Sequence, residues 1–227
     1  MMRKSRSPQE LVDYQVRKWA QEQSRRSSDP VPRPVITVSR QYGALGAQLG
    51  RLVADRLGYE FWDREILNEI ARHAKMPTTL FESLDERRKG LVSQLIAVFD
   101  EKHQVSAGDY MRQLLRVLHT IALHGNAVIV GRGAQYVLEP DSTLRIRTVG
   151  GLDQRVAGLV ERTGVSETEA RDLCARTDRE RQQFIRAHYD RDLEDPSGYD
   201  LIVNTSTCSL EVAADIVIAA MRARFGS

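Results

Sequence analysis

From residue 35 onward, short apolar segments alternate with longer segments of helical periodicity. The short segments are rich in β-branched residues, as strands are, and the longer ones repeat apolar residues every three or four positions. This alternation favours a parallel sheet with helices on both faces, because each strand must return through a crossover. We therefore predict an α/β fold. Its strands are expected at residues 35–39, 59–62, 127–131, 143–149 and 200–204, and its helices at 46–57, 63–75, 108–124, 151–163, 166–187 and 209–224.

Residues 1–33 are predicted to form a separate N-terminal segment. Ser7 and Glu10 have the spacing of a capping box, in which each side chain accepts a hydrogen bond from the other residue's backbone N–H. The helix that starts there should end near Arg26. The prolines of residues 27–34 then indicate a linker.

The N-terminal helix has an apolar stripe flanked by basic residues. Such a helix can pack on the main domain or on a partner subunit, so a homodimer stays open. A basic arm for nucleic acid or a membrane is disfavoured because the basic residues are few and interrupted. Residues 34–227 are expected to form one domain, with an insertion at about 76–107 and a helical lid at about 151–198.

Composition limits the class of protein. With 227 residues, 41% of them apolar and 28% charged, the chain fits a soluble globular domain. It holds no run of about 18 apolar residues, and its basic N-terminus lacks the apolar core of a secretory signal. Cys174 and Cys208 are isolated, so neither a metal site nor a disulfide framework is indicated. We expect a cytoplasmic protein with no membrane partner and do not expect nucleic acid as a partner. The net charge of +2 argues for no special partner.

The basic residues are strongly biased toward arginine. Only five of the 33 are lysines, and none of these lies beyond Lys102. Phosphate held by the C-terminal half must therefore be held by arginine, whose planar fork binds two oxygens at once. An arginine-favouring genome would explain the same bias, so the bias alone decides nothing.

Residues 35–53 place a strand, a glycine-bearing turn and a helix in succession. In this context backbone N–H groups and a helix N-terminus bind phosphate. Gly43 and Gly46 permit a tight turn with close backbone approach, and Ala44 and Ala47 are too small to obstruct it. The predicted phosphate-binding set is Ser39, Gly43, Ala44, Leu45, Gly46, Ala47 and Gln48.

The turn departs from a standard phosphate loop. Gly46 and Gln48 stand where a lysine and a hydroxyl residue are expected, and Leu45 stands where glycine is usual. Arg40, at the start of the loop, is the candidate for the missing positive charge. The amide oxygen of Gln48 is a candidate metal ligand, but a poorer one for magnesium than a hydroxyl backed by a carboxylate. Such turns also occur for packing reasons, so the loop alone leaves phosphate binding undecided.

Two further candidates follow predicted strands. Asp63 has two interpretations: it caps the next helix, or it lies at the carboxyl edge of the sheet and hydrogen-bonds a base or sugar. In the second interpretation Arg64, beside it, would bind a phosphate. Arg132 stands between two glycines at the end of an apolar strand. A charge at a buried strand end needs an anion, which is either a protein carboxylate or a substrate phosphate.

Residues 161–191 are dense in charge. Their arginines either form ion pairs on a solvated helix face or belong to a mobile lid that closes over transferring phosphates and excludes water. The arginines are Arg171, Arg176, Arg179, Arg181 and Arg186, among the acidic residues Asp172, Asp178 and Glu180.

Taken in order, these motifs resemble those of the cytidylate kinase-like family, a branch of the P-loop nucleoside monophosphate kinases. The resemblance covers roughly residues 35–222 and rests on ITVSRQYG followed by a glycine, FWDREIL, VIVGRGA, TDRERQQFIRAHYDRD and DPSGYDLIVNTS. It implies a P-loop NTPase-type three-layer α/β/α fold with a five-stranded parallel sheet, a helical substrate-binding insertion and an arginine-rich helical lid. It also implies ATP and Mg²⁺ as cofactors and a nucleotide as the small-molecule substrate.

The resemblance also implies roles for single residues. Asp63 falls where an aspartate contacts the substrate nucleotide, and Arg132 falls where an arginine binds substrate phosphate. Asp178 and Arg181 match the Asp-x-x-Arg spacing of the lid. True cytidylate kinases carry the loop lysine, whereas this branch typically has glycine, and Leu45 is a further departure within the branch.

Two functions fit these features. The first is an ATP-dependent phosphotransferase that moves the γ-phosphate to a nucleoside monophosphate, CMP among them, or to another small acceptor. Its catalytic residues would be Arg40, Arg181 and Arg179, and its substrate-binding residues would be Asp63, Arg64, Arg132 and Asp178. The alternative is a catalytically weak or inactive nucleotide-binding regulator that works through lid closure, because loss of the lysine removes transition-state stabilisation.

Overall fold

The computed structural model describes residues 7–24, 34–73, 75–103 and 110–226. The chain divides into two compact units. The sheet unit consists of Pro34–Asp63 and Asn126–Ser227, and the helical unit of Met1–Arg33 and Arg64–Gly125. The helix of the predicted N-terminal segment thus groups with residues 64–125, which include the predicted insertion. The predicted domain boundaries themselves stay a prediction.

The sheet unit contains five parallel strands, which confirms the predicted sheet. They are β1 (Val35–Arg40), β2 (Glu60–Trp62), β3 (Ala127–Val130), β4 (Thr143–Val149) and β5 (Leu201–Asn204). Their order is β2-β3-β1-β4-β5. Strands β1 and β3 are buried along almost their whole length, as apolar strands inside a parallel sheet must be. Because the order reverses at β1, the carboxyl ends of β1, β3 and β4 meet at the edge where such sheets bind ligands.

Helices lie in both units. Those of the helical unit are α1 (Pro8–Ser24), α3 (Arg64–Arg72), α4 (Lys75–Glu82), α5 (Glu86–His103) and α6 (Tyr110–His124). Those of the sheet unit are α2 (Gly46–Leu57), α7 (Leu152–Thr163), α8 (Glu167–Tyr189) and α9 (Leu210–Phe225). No helix within the described ranges is long and apolar enough to cross a membrane.

Helices α2 and α9 pack on one face of the sheet. Helix α9 begins after Ser209, as predicted, and the serine hydroxyl accepts a hydrogen bond from the N–H of Val212 at 3.3 Å. The strands turn alternate side chains toward these helices, so the core between them is apolar. It includes Ile36, Val38, Leu49, Val53, Val128, Val130, Leu144, Ile146, Val203 and Val217.

Helices α7 and α8 occupy the predicted lid and pack on each other. Val156 and Leu159 of α7 are buried with Ala170 and Cys174 of α8. The ring of Tyr42, from the loop after β1, packs against this cluster. The predicted lid is therefore a helical hairpin with its own small core, in contact with the predicted phosphate loop.

The helical unit confirms the predicted start of α1. The N–H of Ser7 donates to Glu10 Oε2 at 2.8 Å, and the N–H of Glu10 donates to Ser7 Oγ at 3.2 Å. The predicted helix end near Arg26 and all but the last residue of the predicted linker at 27–34 lie outside the described residues. Helix α3 ends at Arg72, short of the predicted residue 75, because a new helix begins there.

Two histidines of α6, the buried His119 and the half-buried His124, have lowered pKa values. His119 is 5% exposed, and burial lowers its pKa to about 4. His124 lies 3.0 Å from Ser83 Oγ, and burial, with a smaller contribution from Arg88, lowers its pKa to about 3. Both imidazoles are therefore neutral in the folded chain at pH values where an unfolded histidine is protonated.

We expect the free energy of unfolding to fall as the pH drops from about 6.5 toward 4. The folded pKa values lie below the unfolded value, so the unfolded state binds protons first and is favoured by acid, by up to about 1.4 kcal/mol per pH unit for each histidine. Urea unfolding at several pH values measures this slope. The variant His119→Leu should have a shallower slope, and His73→Leu, at an exposed position, is the control. An unchanged slope in His119→Leu would contradict the assignment.

Candidate functional site

The loop between β1 and α2 leaves the N-terminus of α2 without a side-chain cap. Leu45 stands at the N-cap position with φ 54° and ψ 17°, and its side chain accepts no hydrogen bond. The left-handed conformation costs a bulky residue about 1 kcal/mol, and strain of this kind is common at binding sites. The first N–H groups of this 12-residue helix, those of Gly46, Ala47 and Gln48, therefore point out of the helix end, where an anion is stabilised.

Gly46, at the position where a lysine is expected, has no room for a side chain. A Cβ added there would lie 2.6 Å from the Cβ of Arg40 and 2.7 Å from Oγ1 of Thr148. Real Cβ atoms do not approach other atoms so closely. The stem of Arg40 occupies this space instead.

The guanidinium of Arg40 reaches the end of β3. A Cβ added at Gly131 would overlap Nη1 of Arg40. The side chain thus runs from the start of the loop, past the first turn of α2, to the turn after β3. Arg40 is compatible with the loop because both Gly46 and Gly131 lack a side chain.

Arg132 follows Gly131 and lies against α8. Its backbone is left-handed, with φ 59°, and its carbonyl oxygen accepts a hydrogen bond from the hydroxyl of Tyr189. The guanidinium lies 4.7 Å from the ring of Phe184, within cation–π range. The turn after β3 is therefore held on α8, and it delivers a second arginine to the edge that Arg40 reaches.

Asp178 and Arg181 of α8 bind the backbone of the loop. Oδ1 of Asp178 accepts a hydrogen bond from the N–H of Tyr42 at 2.7 Å. Arg181 Nη1 donates to the carbonyl oxygen of Arg40 at 2.9 Å, and its guanidinium lies 5.5 Å from the ring of Tyr42. The hairpin and the loop are therefore joined by hydrogen bonds.

Arg155 of α7 completes this junction. Its Nη1 donates to Asp178 Oδ2 at 2.7 Å and to the carbonyl oxygen of Tyr42 at 2.9 Å, and its Nε donates to the carbonyl oxygen of Gly150 at 3.0 Å. Gly43 packs on the backbone of Arg155, since an added Cβ would lie 3.1 Å from its carbonyl oxygen. Sequence analysis missed Arg155, because nothing in its neighbourhood sets it apart from the other arginines.

A buried arginine that the sequence did not single out lies beside the start of the loop. The side chain of Arg147 in β4 is 3% exposed and forms an ion pair with Glu194. It also donates to the hydroxyls of Ser39, at 3.2 Å, and Tyr199, at 3.3 Å. These partners offset the cost of burying its charge. The hydroxyl of Ser39, predicted to bind phosphate, therefore belongs to a buried cluster that joins β1, β4 and the segment after α8.

Other predicted residues have different surroundings. Asp63 is half-buried directly after β2, and Arg64 begins α3 in the helical unit, where it pairs with Glu65 at 3.1 Å. Arg179 is exposed, two residues from Arg181 and so on another side of α8. Arg171 forms surface ion pairs with Asp153 at 2.9 Å and Glu167 at 3.2 Å, as the ion-pair interpretation of this helix predicted.

With this geometry in place, comparison with known proteins identifies the family. The cytidylate kinase-like family matches residues 35–207. This chain belongs to that family. Cytidylate kinase from Pyrococcus horikoshii is 27% identical over 194 residues, which cover 85% of this chain and 90% of that protein. Uronate isomerase from Corynebacterium glutamicum is 34% identical over 98 residues, which cover 43% of this chain but only 19% of the isomerase, so the chain spans about a fifth of that relative.

Solved structures show the fold of this cytidylate kinase-like protein. An uncharacterised protein from Eubacterium ventriosum has a TM-score of 0.59 at 18% identity, with 84% of this chain and 99% of that one covered. A gluconokinase from Sinorhizobium meliloti has a TM-score of 0.50 at 14% identity, with 87% and 96% covered. The predicted three-layer α/β/α P-loop fold is confirmed.

We expect Gly46→Lys to destabilise the protein instead of restoring a standard loop. The new side chain must displace Arg40 or Thr148, and overpacking of this kind costs about 1–3 kcal/mol. Thermal unfolding measures the loss. Ala47→Lys, at the exposed neighbouring position, is the matched control and should unfold near the native temperature. Equal melting temperatures for both variants would contradict the packing argument.

We expect Asp178→Ala to expose the amide of Tyr42 to solvent exchange. A hydrogen bond to a carboxylate is worth about 1.5–3 kcal/mol, so hydrogen exchange at this amide should accelerate by about tenfold or more. Amide hydrogen exchange followed by NMR reports this single site. Asp172→Ala, at an exposed position of the same helix, should leave the rate unchanged. A Tyr42 amide that exchanges at the native rate in Asp178→Ala would disprove the contact.

Proposed function

We propose that this protein is an ATP-dependent phosphotransferase whose acceptor is a nucleoside monophosphate, with CMP the first to test, or another small phosphate acceptor. One observation carries the proposal. The side chain of Arg40 reaches the turn after β3, and Arg132 is part of that turn. Arg181 binds the backbone of Arg40, beside the uncapped N-terminus of α2. Three arginines and a row of backbone N–H groups suit an anion with several charged oxygens. The cytidylate kinase from P. horikoshii, similar over nearly its whole length, supports a nucleotide as that anion.

The donor phosphates would bind at the loop. The N–H groups at the start of α2 would hold phosphate oxygens, as helix N-termini do. Arg40 would supply the charge that a lysine at position 46 would otherwise give, from a different position in the loop and with a fork that binds two oxygens. The glycines at 46 and 131 support this role because they make room for its side chain.

Magnesium would arrive with the nucleotide. Among the described residues, no group of three or more histidine, cysteine, aspartate or glutamate side chains is arranged to hold a metal ion. The carboxylate of Asp178 already accepts hydrogen bonds from Tyr42 and Arg155. The exposed amide oxygen of Gln48 is the predicted metal ligand in the loop. These donors fit an ion held mainly by phosphate oxygens and water, as Mg²⁺ often is. When bound, the ion neutralises charge on the transferring phosphate.

The acceptor would bind at the ends of β2 and β3. Arg132 and Asp63 follow these neighbouring strands, so the arginine would bind the acceptor phosphate and the aspartate its base or sugar. Arg64 stays a predicted residue for binding the acceptor substrate. The acceptor phosphate attacks directly, so this chemistry needs no dedicated base. Arg181 would stabilise the transition state from α8. Arg179, on another side of that helix, stays a predicted catalytic residue.

We expect Arg40→Ala to lower kcat/KM for ATP by about 100-fold, since removal of one transition-state contact costs about that factor. Arg132→Ala should mainly raise KM for the acceptor. A coupled ADP-release assay with a panel of nucleoside monophosphates measures both values. Arg162→Ala, at an exposed position at the end of α7, is the control and should match the native protein.

This assay, together with a measurement of ATP binding, separates the two candidate functions. ATP binding without turnover on any acceptor would overturn the phosphotransferase and support the nucleotide-binding regulator. Failure to bind any nucleotide would overturn both.

A further inference from the structure

Helix α5 carries apolar side chains on two opposite faces. Val92 is fully buried and Ile96 nearly so, on the face that packs against α6. Leu91 and Val98 are 43% and 52% exposed. Leu91 and Val98 thus lie on a side of the helix that is separate from its buried face.

The second face is a continuous stripe. Its residues follow one another at intervals of four and three positions, which keeps them on one side of a helix. All five are exposed. We refer to Arg87, Leu91, Gln94, Val98 and Glu101 as the α5 stripe.

The α5 stripe is basic at one end and acidic at the other, with Leu91 and Val98 on either side of Gln94. Other charged residues of α5 form ion pairs within the chain. Lys89 pairs with Glu82 and Glu86, and Asp100 pairs with Arg112. Among the residues that the structure describes, neither Arg87 nor Glu101 forms an ion pair. The two ends of the stripe therefore keep opposite charges for an external partner.

We propose that the α5 stripe is a homodimer interface, in which two copies of α5 pack antiparallel about a two-fold axis near Gln94. Arg87 and Glu101 lie seven positions before and after Gln94. Rotation by 180° therefore brings Arg87 of each copy to Glu101 of the other. It also brings Leu91 close to Val98, since these lie three positions before and four positions after Gln94. A two-fold interface must be complementary to itself, and this charge order satisfies that condition.

A further effect favours the antiparallel arrangement. The helix dipoles oppose each other, so the positive end of one α5 lies beside the negative end of the second copy. Burial of the apolar side chains adds to the stability of the pair but does not select its orientation. A parallel arrangement would place like charges together at both ends.

The expected association is weak. One pair of helices buries less area than a standard protein interface, so the dimer should form in the micromolar range. The surface belongs to the helical unit alone, and its proposed role does not depend on the phosphate site.

Sedimentation velocity over a range of protein concentrations tests the association. The native chain should shift from monomer to dimer, and Leu91→Lys should raise the dissociation constant at least about tenfold, because a charge replaces a buried side chain. Ser93→Lys, on another side of α5, should dimerise like the native chain. A native chain that stays monomeric at several hundred micromolar would overturn the proposal, and so would equal effects of the two variants.

Charge reversal tests the orientation. Arg87→Glu and Glu101→Arg should each weaken the dimer, because like charges then meet twice across the axis. The double variant restores opposite charges at both contacts, so it should dimerise like the native chain. Failure of the double variant to recover, with its circular dichroism spectrum unchanged, would rule out the antiparallel pairing.

Cross-linking tests the position of the axis. In a Cys208→Ser background, Gln94→Cys should form an intermolecular disulfide on mild oxidation, because the two copies of this residue meet at the axis. Ser93→Cys should cross-link much more slowly. Equal rates would place the contact elsewhere and overturn the proposed axis.

Discussion

The side chain of Arg40 determines the geometry of the candidate site. It leaves the end of β1, passes the first turn of α2 and ends at the turn after β3. Two positions must be glycine for this path to exist, and one of them is the position where a lysine would be expected. The missing lysine and the added arginine are therefore one structural change, since the two side chains compete for the same space. A positive charge is kept in the loop, but it enters from the strand and not from the helix.

Much of the fold follows from local patterns in the sequence. Strands β1 and β3 are short apolar runs flanked by glycine or proline, and the capping box at Ser7 and the cap at Ser209 set helix starts in the expected places. The boundary between α3 and α4 was missed because α4 begins only three residues after α3 ends. Pro77 in the first turn of α4 is the signal that would have marked a helix start.

The candidate site was only partly predictable from sequence. The sequence motifs indicated Arg132, Asp178 and Arg181 as site residues, because each of them lies within a short motif of adjacent residues. Arg155 and Arg147 were missed, since their partners are distant in sequence and include backbone atoms and hydroxyls. Such contacts leave no periodic pattern. In a chain this rich in arginine, residue type alone cannot separate a buried arginine from a surface one.

The hydrogen bond between Asp178 and the N–H of Tyr42 has a thermodynamic consequence. Because it joins the loop to the helical hairpin, the conformations of these two segments are energetically linked. A ligand that binds the loop more tightly when this bond is formed must, by reciprocity, strengthen the attachment of the hairpin by the same factor. Occupancy of the loop is then transmitted to α7 and α8 through the hydrogen bonds that join the loop to the hairpin, of which this amide makes one.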